Sequence, residues 1–176
     1  MALIVVDVQA ALVAYLHGPR RAELLDVLAG LLHRARTADV PVVYVRHQDD
    51  ELVAGTPDWE IAEAIAPRPA DPIVEKRHRD AFRDTDLAEI LGRLGTDHIV
   101  VCGMQTEYCV DATIREGERR GYRVTLVEDG HATFAAAGAT EEQIRTQVHR
   151  VAGGKVAEIV PAAEIFAAAP ARATAS

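Results

Sequence analysis

Short runs of apolar residues alternate along this chain with longer segments in which apolar residues recur every three or four positions. The runs show no polar alternation, as expected for strands that are covered on both faces. Because helical segments separate most of the runs, the order predicts an α/β fold with a six-stranded, mostly parallel sheet. The predicted strands are 3–6, 42–45, 72–75, 98–102, 123–127 and 156–160.

The predicted helices also have clear limits. The first places five leucines on one stripe and ends before Asp39 and Pro41, and Gly95 and Gly121 end two later helices. We predict helices over 20–37, 86–94, 109–121 and 141–151, and a short one over 59–65. The pattern weakens between 46 and 70, and we expect this long irregular stretch to form part of the rim of a substrate site.

Composition narrows the class of protein. The 176 residues are 49% hydrophobic, enough for one core without disulfides or metal, so we expect a single domain over 1–176 with a partly frayed tail at about 163–176. The net charge of −8 argues against a nucleic-acid partner. No stretch is apolar and long enough for a membrane helix, and no basic segment precedes an apolar one at the start. We therefore expect a cytoplasmic protein with no membrane partner.

Three reactive side chains follow the ends of predicted strands. Asp7 follows the first strand, Lys76 the third, and Cys109 lies in the turn between the fourth strand and its helix. Ligands bind outside the carboxyl ends of parallel strands, so these residues are candidates for one site. Taken singly, the aspartate is a common turn residue, the lysine could belong to a solvated face, and the cysteine could be an inert buried residue.

The thiol is the natural nucleophile of such a group. A cation and a helix N-terminus both lower a cysteine pKa, and we expect Lys76 and the start of the 109–121 helix to do so for Cys109. Asp7 would accept the thiol proton. Lys76 is one of only two lysines among 19 basic residues, which suggests that its compact ammonium matters. Cys102, in mid-strand among apolar residues, is interpreted as structural, and its spacing from Cys109 does not match a zinc site.

Several segments closely resemble the isochorismatase-like cysteine hydrolase family. They are ALIVVDVQ at 2–9, EK at 75–76 with DAFRDT at 80–85, VCGMQTEYCV at 101–110, GY at 121–122 and EDGH at 128–131. The resemblance implies a three-layer α/β/α fold, a catalytic triad of Asp7, Lys76 and Cys109, and a homo-oligomer. It also implies a cis peptide at Met104-Gln105 and an oxyanion hole formed by the backbone N–H groups of Gln105 and Cys109.

The resemblance further suggests which ligands to expect. Nicotinamidase relatives bind a metal through an Asp-x-His pair, but this chain has the reverse order at His47-Gln48-Asp49, so we expect no metal and no cofactor. His47 is instead a candidate pocket residue. Further candidates for substrate binding flank the strand ends, the nucleophile or the irregular segment: Gln9, Trp59, Phe82, Tyr108 and His131.

The leading hypothesis is a hydrolase that cleaves a C–N bond of a small amide, ureide or carbamoyl compound through a thioester. Two alternatives stay open at this point. One is a vinyl-ether hydrolase of the isochorismate type, with Asp7 as the acid and Cys109 a bystander. The other is a catalytically silent, oligomeric binding protein of the same fold.

Overall fold

The computed structural model describes residues 1–136 and 138–166. Six parallel strands form one sheet in the order β3-β2-β1-β4-β5-β6. This confirms the α/β class and the six-stranded sheet. The strands are β1 (Ala2–Val6), β2 (Val42–His47), β3 (Ile73–Lys76), β4 (His98–Met104), β5 (Arg123–Ala132) and β6 (Glu158–Val160).

Helices cover both faces of this sheet. They are α1 (Ala10–Ala14), α2 (Arg20–Thr37), α3 (Leu87–Arg93), α4 (Asp111–Arg119) and α5 (Glu141–Ala152), with short 3₁₀ turns at Glu63–Ile65 and Ala162–Glu164. The leucine stripe of α2 is buried against one face, whereas α3, α4 and α5 supply the core on the other. All five residues of β1 are buried, which explains why the strand shows no polar alternation.

Helix α5 begins where its sequence dictates. The Thr140 side chain accepts a hydrogen bond from the Gln143 backbone N–H, and the Gln143 side chain accepts one from the Thr140 N–H. This capping box satisfies backbone donors that the first turn leaves without helical partners.

Several predicted boundaries were wrong. Strand β5 continues through the turn-forming residues 128–130 to Ala132, because its second half pairs again with β4 after a register shift between Val101 and Gly103. The predicted helix at 59–65 is only a 3₁₀ turn at Glu63–Ile65, β6 is shorter than predicted, and α1 was not predicted at all.

Part of the predicted frayed tail is packed. Ile165 is buried, and the Arg34 side chain donates a 3.2 Å hydrogen bond to its backbone oxygen. Residues 167–176 lie outside the described residues. Among the described helices, none has a run long and apolar enough to span a lipid bilayer.

Candidate active site

The candidate residues lie at the carboxyl ends of β1 and β3 and in the turn after β4, all at the same edge of the sheet, with β2 between β3 and β1. Lys76 is the last residue of β3, and Asp7 follows β1 with a positive φ of 50°. Aspartate tolerates this left-handed conformation better than most residues. The Asp7 backbone N–H donates a 2.9 Å hydrogen bond to the oxygen of Val45, so the neighbouring strand β2 holds the bend.

The structure brings Asp7, Lys76 and Cys109 together. Lys76 Nζ lies 2.6 Å from Asp7 Oδ2 and 3.2 Å from Cys109 Sγ. Both Asp7 and Lys76 are buried, and Cys109 is half-buried. Burial by itself favours the neutral amine, but the negative charge of Asp7, together with that of Cys109 when its thiol is ionised, outweighs burial and raises the pKa of Lys76 above its ordinary value. The Lys76 amine is therefore protonated at neutral pH, in contact with the Cys109 thiol.

The helical position of Cys109 differs from the prediction. A single π-helical turn spans Thr106–Val110 and runs directly into α4, so Cys109 is the fourth residue of the helical segment and not its start. Burial, followed by the charge of Asp7, raises the pKa of Cys109 to about 12, despite the opposing effect of Lys76. The expected lowering of this pKa was wrong, and the resting thiol is protonated at neutral pH.

The end of β4, which leads to the π turn and Cys109, requires glycine at position 103. Gly103 has a φ of +123°, and a Cβ atom there would lie 2.0 Å from the Val6 backbone oxygen. Any side chain would therefore collide with β1. The peptide bond between Met104 and Gln105 is cis, as the resemblance implied.

A cavity of about 380 Å³ opens above these groups. Cys109, Asp7 and the backbone segment at Gln105 form part of its wall, and His47 and Tyr108 also line it. The remaining lining residues are Ala11, Leu12, Tyr15, Asp49, Glu51, Leu52, Asp58 and Arg79. The irregular stretch thus supplies part of the rim, as predicted.

Two of the predicted substrate-binding residues, Gln9 and Trp59, lie outside the cavity lining. Gln9 is fully buried; its Nε2 donates to the oxygens of His47 and Trp59, and its Oε1 accepts from the His47 N–H. Trp59 is also buried, with the Arg46 guanidinium 3.4 Å from its ring centroid. Both side chains hold the rim segment against β2.

Phe82 and His131 also lie outside the cavity lining. Phe82 is in the core and stacks on Tyr122 at 5.8 Å between ring centroids. His131 is fully buried behind the π turn, where Nδ1 lies 2.8 Å from Thr106 Oγ1 and Nε2 lies 2.8 Å from His149 Nε2. Burial lowers the pKa of His131 well below its usual value, so this histidine is neutral. His131 thus contacts the π turn that carries Cys109.

Sequence reasoning missed several cavity residues. Leu12 lies in α1 and Tyr15 directly follows it, and this helix is too short to be recognised from hydrophobic periodicity. Glu51 and Asp58 lie in the irregular stretch, where only their position within a predicted rim could have suggested a role. Among residues 1–136 and 138–166, no cluster of three or more His, Cys, Asp or Glu could hold a metal ion.

Comparison with known proteins agrees with this fold. The model of the isochorismatase domain matches residues 1–160. The chain belongs to the isochorismatase family. It is therefore a hydrolase-family protein with an all-parallel α/β fold, as the resemblance implied.

Several known proteins are similar to this one over most of the chain. Streptothricin hydrolase of Streptomyces noursei is 39% identical over 96% of this chain and 72% of its own length. Nicotinamidase 3 of Arabidopsis thaliana is 31% identical over 76% of this chain and 73% of its own. The crystal structure of a cysteine hydrolase from Pseudomonas syringae pv. phaseolicola superposes with a TM-score of 0.84 at 29% identity, covering 94% of this chain and 90% of that one.

Proposed function

We propose that this protein hydrolyses a C–N bond of a small amide, ureide or carbamoyl compound, with Cys109 as nucleophile. The observation that carries the proposal is the position of Lys76 Nζ, 3.2 Å from Cys109 Sγ and 2.6 Å from Asp7 Oδ2, two residues that line a cavity. In this proposal, Lys76 is the fixed cation that contacts both the nucleophile Cys109 and the proton acceptor Asp7. The names nicotinamidase and cysteine hydrolase among its relatives support the same chemistry.

The proposed reaction begins with proton transfer, because the resting thiol is protonated. Asp7 takes the proton from Cys109 as sulfur attacks the carbonyl carbon, and Lys76 compensates the negative charge that moves between carboxylate and sulfur. The tetrahedral intermediate collapses to a thioester, and Asp7 returns the proton to the departing ammonia or amine. Asp7 then removes a proton from water, which attacks the thioester carbon. The second tetrahedral intermediate expels the Cys109 sulfur, Asp7 returns the proton to it, and the carboxylic acid and the free thiol are released.

The developing oxyanion needs donors, and we assign the backbone N–H groups of Gln105 and Cys109 to it. Gln105 lines the cavity, and its N–H makes no hydrogen bond to any residue that the structure describes. Such a donor is available to an oxygen of the substrate without breaking an existing interaction.

The charge of the cavity entrance indicates which amides fit. Asp49, Glu51 and Asp58 line it, and among the described lining residues Arg79 is the one guanidinium, 4.3 Å from the centroid of the Tyr108 ring. An entrance of negative net charge favours cationic over anionic ligands. We therefore expect neutral or cationic amides to react faster than anionic ones.

The test is a panel of small amides, ureides and carbamoylated amines, scored by ammonia release. It includes β-alaninamide and succinamate, which have the same chain length and opposite charges, together with neutral butanamide. Acid quenching followed by intact-mass spectrometry should show an acyl adduct on Cys109, absent from Cys109→Ala.

Three results would count against the proposal. Turnover by Cys109→Ala equal to that of the parent protein would exclude the nucleophile. Release of pyruvate from isochorismate, with no amide cleaved, would favour the vinyl-ether hydrolase, and no turnover of any compound would favour the silent binding protein.

A further inference from the structure

The Lys76 ammonium has one contact that the proposed reaction does not use. An ammonium carries three donors and no acceptor. Asp7 Oδ2 and Cys109 Sγ take two of them, and the third acceptor is His47 Nδ1 at 3.2 Å from Nζ. The Lys76 side chain has 0% exposure, so water does not compete for any of the three donors.

His47 can accept from Lys76 only in one tautomer. Its other ring nitrogen, Nε2, lies 3.2 Å from Asp49 Oδ2. An ionised carboxylate only accepts hydrogen bonds, so Nε2 carries the hydrogen and Nδ1 presents its lone pair to Lys76. The charged groups facing the ring are Lys76 from β3, Asp7 after β1 and Asp49 from its own segment, and burial together with Lys76 keeps His47 neutral by lowering its pKa.

The neighbouring residues hold this pair in position. Asp49 Oδ1 accepts the backbone N–H groups of Glu51 and Leu52 at 2.9 and 2.7 Å, which fixes the carboxylate in a tight turn. Gln9 fixes the backbone of His47 from the other side, through both its N–H and its carbonyl oxygen. The ring is thus anchored at its backbone and at Nε2, which leaves Nδ1 aimed at Lys76.

We infer that Asp49 and His47 are positioning residues, which supply the third acceptor of the Lys76 ammonium and so orient it toward Cys109 and Asp7. This inference rests on the proposed function for the role of Lys76 as the cation of the reaction. Its tests require no substrate, so they can fail or succeed independently of amide turnover.

The first test reads the tautomer of His47 by long-range ¹H–¹⁵N correlation spectroscopy at neutral pH, with the signal assigned by its loss in His47→Asn. We expect an unprotonated Nδ1 in the parent protein. In Asp49→Asn the side-chain oxygen still accepts from the turn, but an NH₂ group now faces Nε2, and the tautomer should invert. Asp84→Asn is the matched control, because Asp84 Oδ2 lies 3.1 Å from Nε2 of His78, a second histidine–carboxylate pair whose hydrogen bond does not involve Lys76. It should leave the His47 signals unchanged.

The second test is the rate at which iodoacetamide alkylates Cys109 as a function of pH. Leucine and asparagine have the same shape, but only asparagine offers an acceptor where Nδ1 lies. We expect His47→Leu and Asp49→Asn to slow alkylation about tenfold or more, because a buried charged donor loses its partner. His47→Asn should recover most of the rate, and Asp84→Asn should equal the parent. Circular dichroism melts establish that each variant is folded.

An unprotonated Nε2 in the parent protein would overturn the inference. So would equal alkylation profiles for folded His47→Leu and His47→Asn, or an Asp49→Asn variant that changes neither the tautomer nor the rate. If the tautomer and alkylation results are as expected while no amide is cleaved, the proposed function fails and the positioning pair stands.

Discussion

The buried ion pair between Lys76 and Asp7 makes a quantitative prediction about stability. Substituting methionine for Lys76 keeps the length of the side chain and removes its charge. At 2.6 Å, the pair attracts by about 6 kcal/mol for an effective dielectric constant of about 20. Dehydrating the two ions opposes this attraction, but the substitution leaves the Asp7 carboxylate buried without its partner. We therefore expect Lys76→Met to lower the free energy of unfolding by about 3–5 kcal/mol.

A double variant separates loss of the ion pair from loss of packing. When Asp7→Asn is added to Lys76→Met, no unpaired charge remains, and we expect the double variant to be more stable than Lys76→Met alone by about 2 kcal/mol. Lys155→Met is the matched control. It replaces the only other lysine of the chain, which is exposed, and should change stability by less than about 0.5 kcal/mol.

The assay is equilibrium unfolding in urea, followed by far-ultraviolet circular dichroism and by the fluorescence of Trp59, the only tryptophan and a buried one. Coincident transitions from the two probes would justify a two-state analysis. The electrostatic reasoning is refuted if Lys76→Met lies within about 1 kcal/mol of the parent protein, or if the double variant is less stable than Lys76→Met.

Three further predictions address the proposed nucleophile, stability at acidic pH and the close contact between Gly103 and β1. Asp7→Asn should speed alkylation of Cys109 by iodoacetamide at pH 8 while abolishing amide turnover, because the Asp7 charge raises the thiol pKa; a slower alkylation would contradict this. The folded-state pKa of His131 lies well below its unfolded value, so below about pH 6.5 the unfolded chain binds more protons than the folded one and the free energy of unfolding falls. The loss is about 1.4 kcal/mol one pH unit lower. Urea titrations at pH 7 and 5.5 should therefore show a smaller loss of stability for His131→Gln than for the parent protein. Gly103→Ala should lower the free energy of unfolding by more than about 4 kcal/mol or prevent folding. The control Gly95→Ala, at a φ of +62° where an added Cβ would have nothing within 4 Å, should lower it by about 1–2 kcal/mol in the same assay. Equal losses of stability would refute the collision with β1.

The hydrophobic pattern of the chain predicted those helices and strands whose burial follows a simple repeat along their whole length. The strand β1 is buried on both faces and α2 has one leucine stripe, so their residues identify them without knowledge of their neighbours. The end of β5 could not be predicted in this way. Residues 128–130 have the composition of a turn, but β5 continues through them because His131 and Ala132 pair again with Gly103 and Met104 of β4, which lie 28 residues earlier in the chain.

The same distinction applies to the candidate site. The positions of Asp7 and Lys76 at strand ends follow from the pattern, and parallel pairing requires such ends to meet at one edge. The protonation of Cys109 does not follow, because it depends on how deeply the π turn buries the sulfur and on the distance to Asp7. The pairing of His47 with Lys76 likewise depends on the register of β2 against β3, in which the two residues are direct partners.

By itself, the sequence determined the α/β class, the strand-end residues and the family resemblance, because hydrophobic periodicity and short motifs are local properties of the chain. Only the tertiary structure decided that Gln9, Trp59, Phe82 and His131 lie outside the cavity, that Asp49, Glu51 and Asp58 line it, and that Lys76 has a third acceptor. The physical reason is that burial, charge compensation and hydrogen-bond geometry depend on contacts between strands and loops far apart in the chain, and those contacts exist only once the sheet has formed.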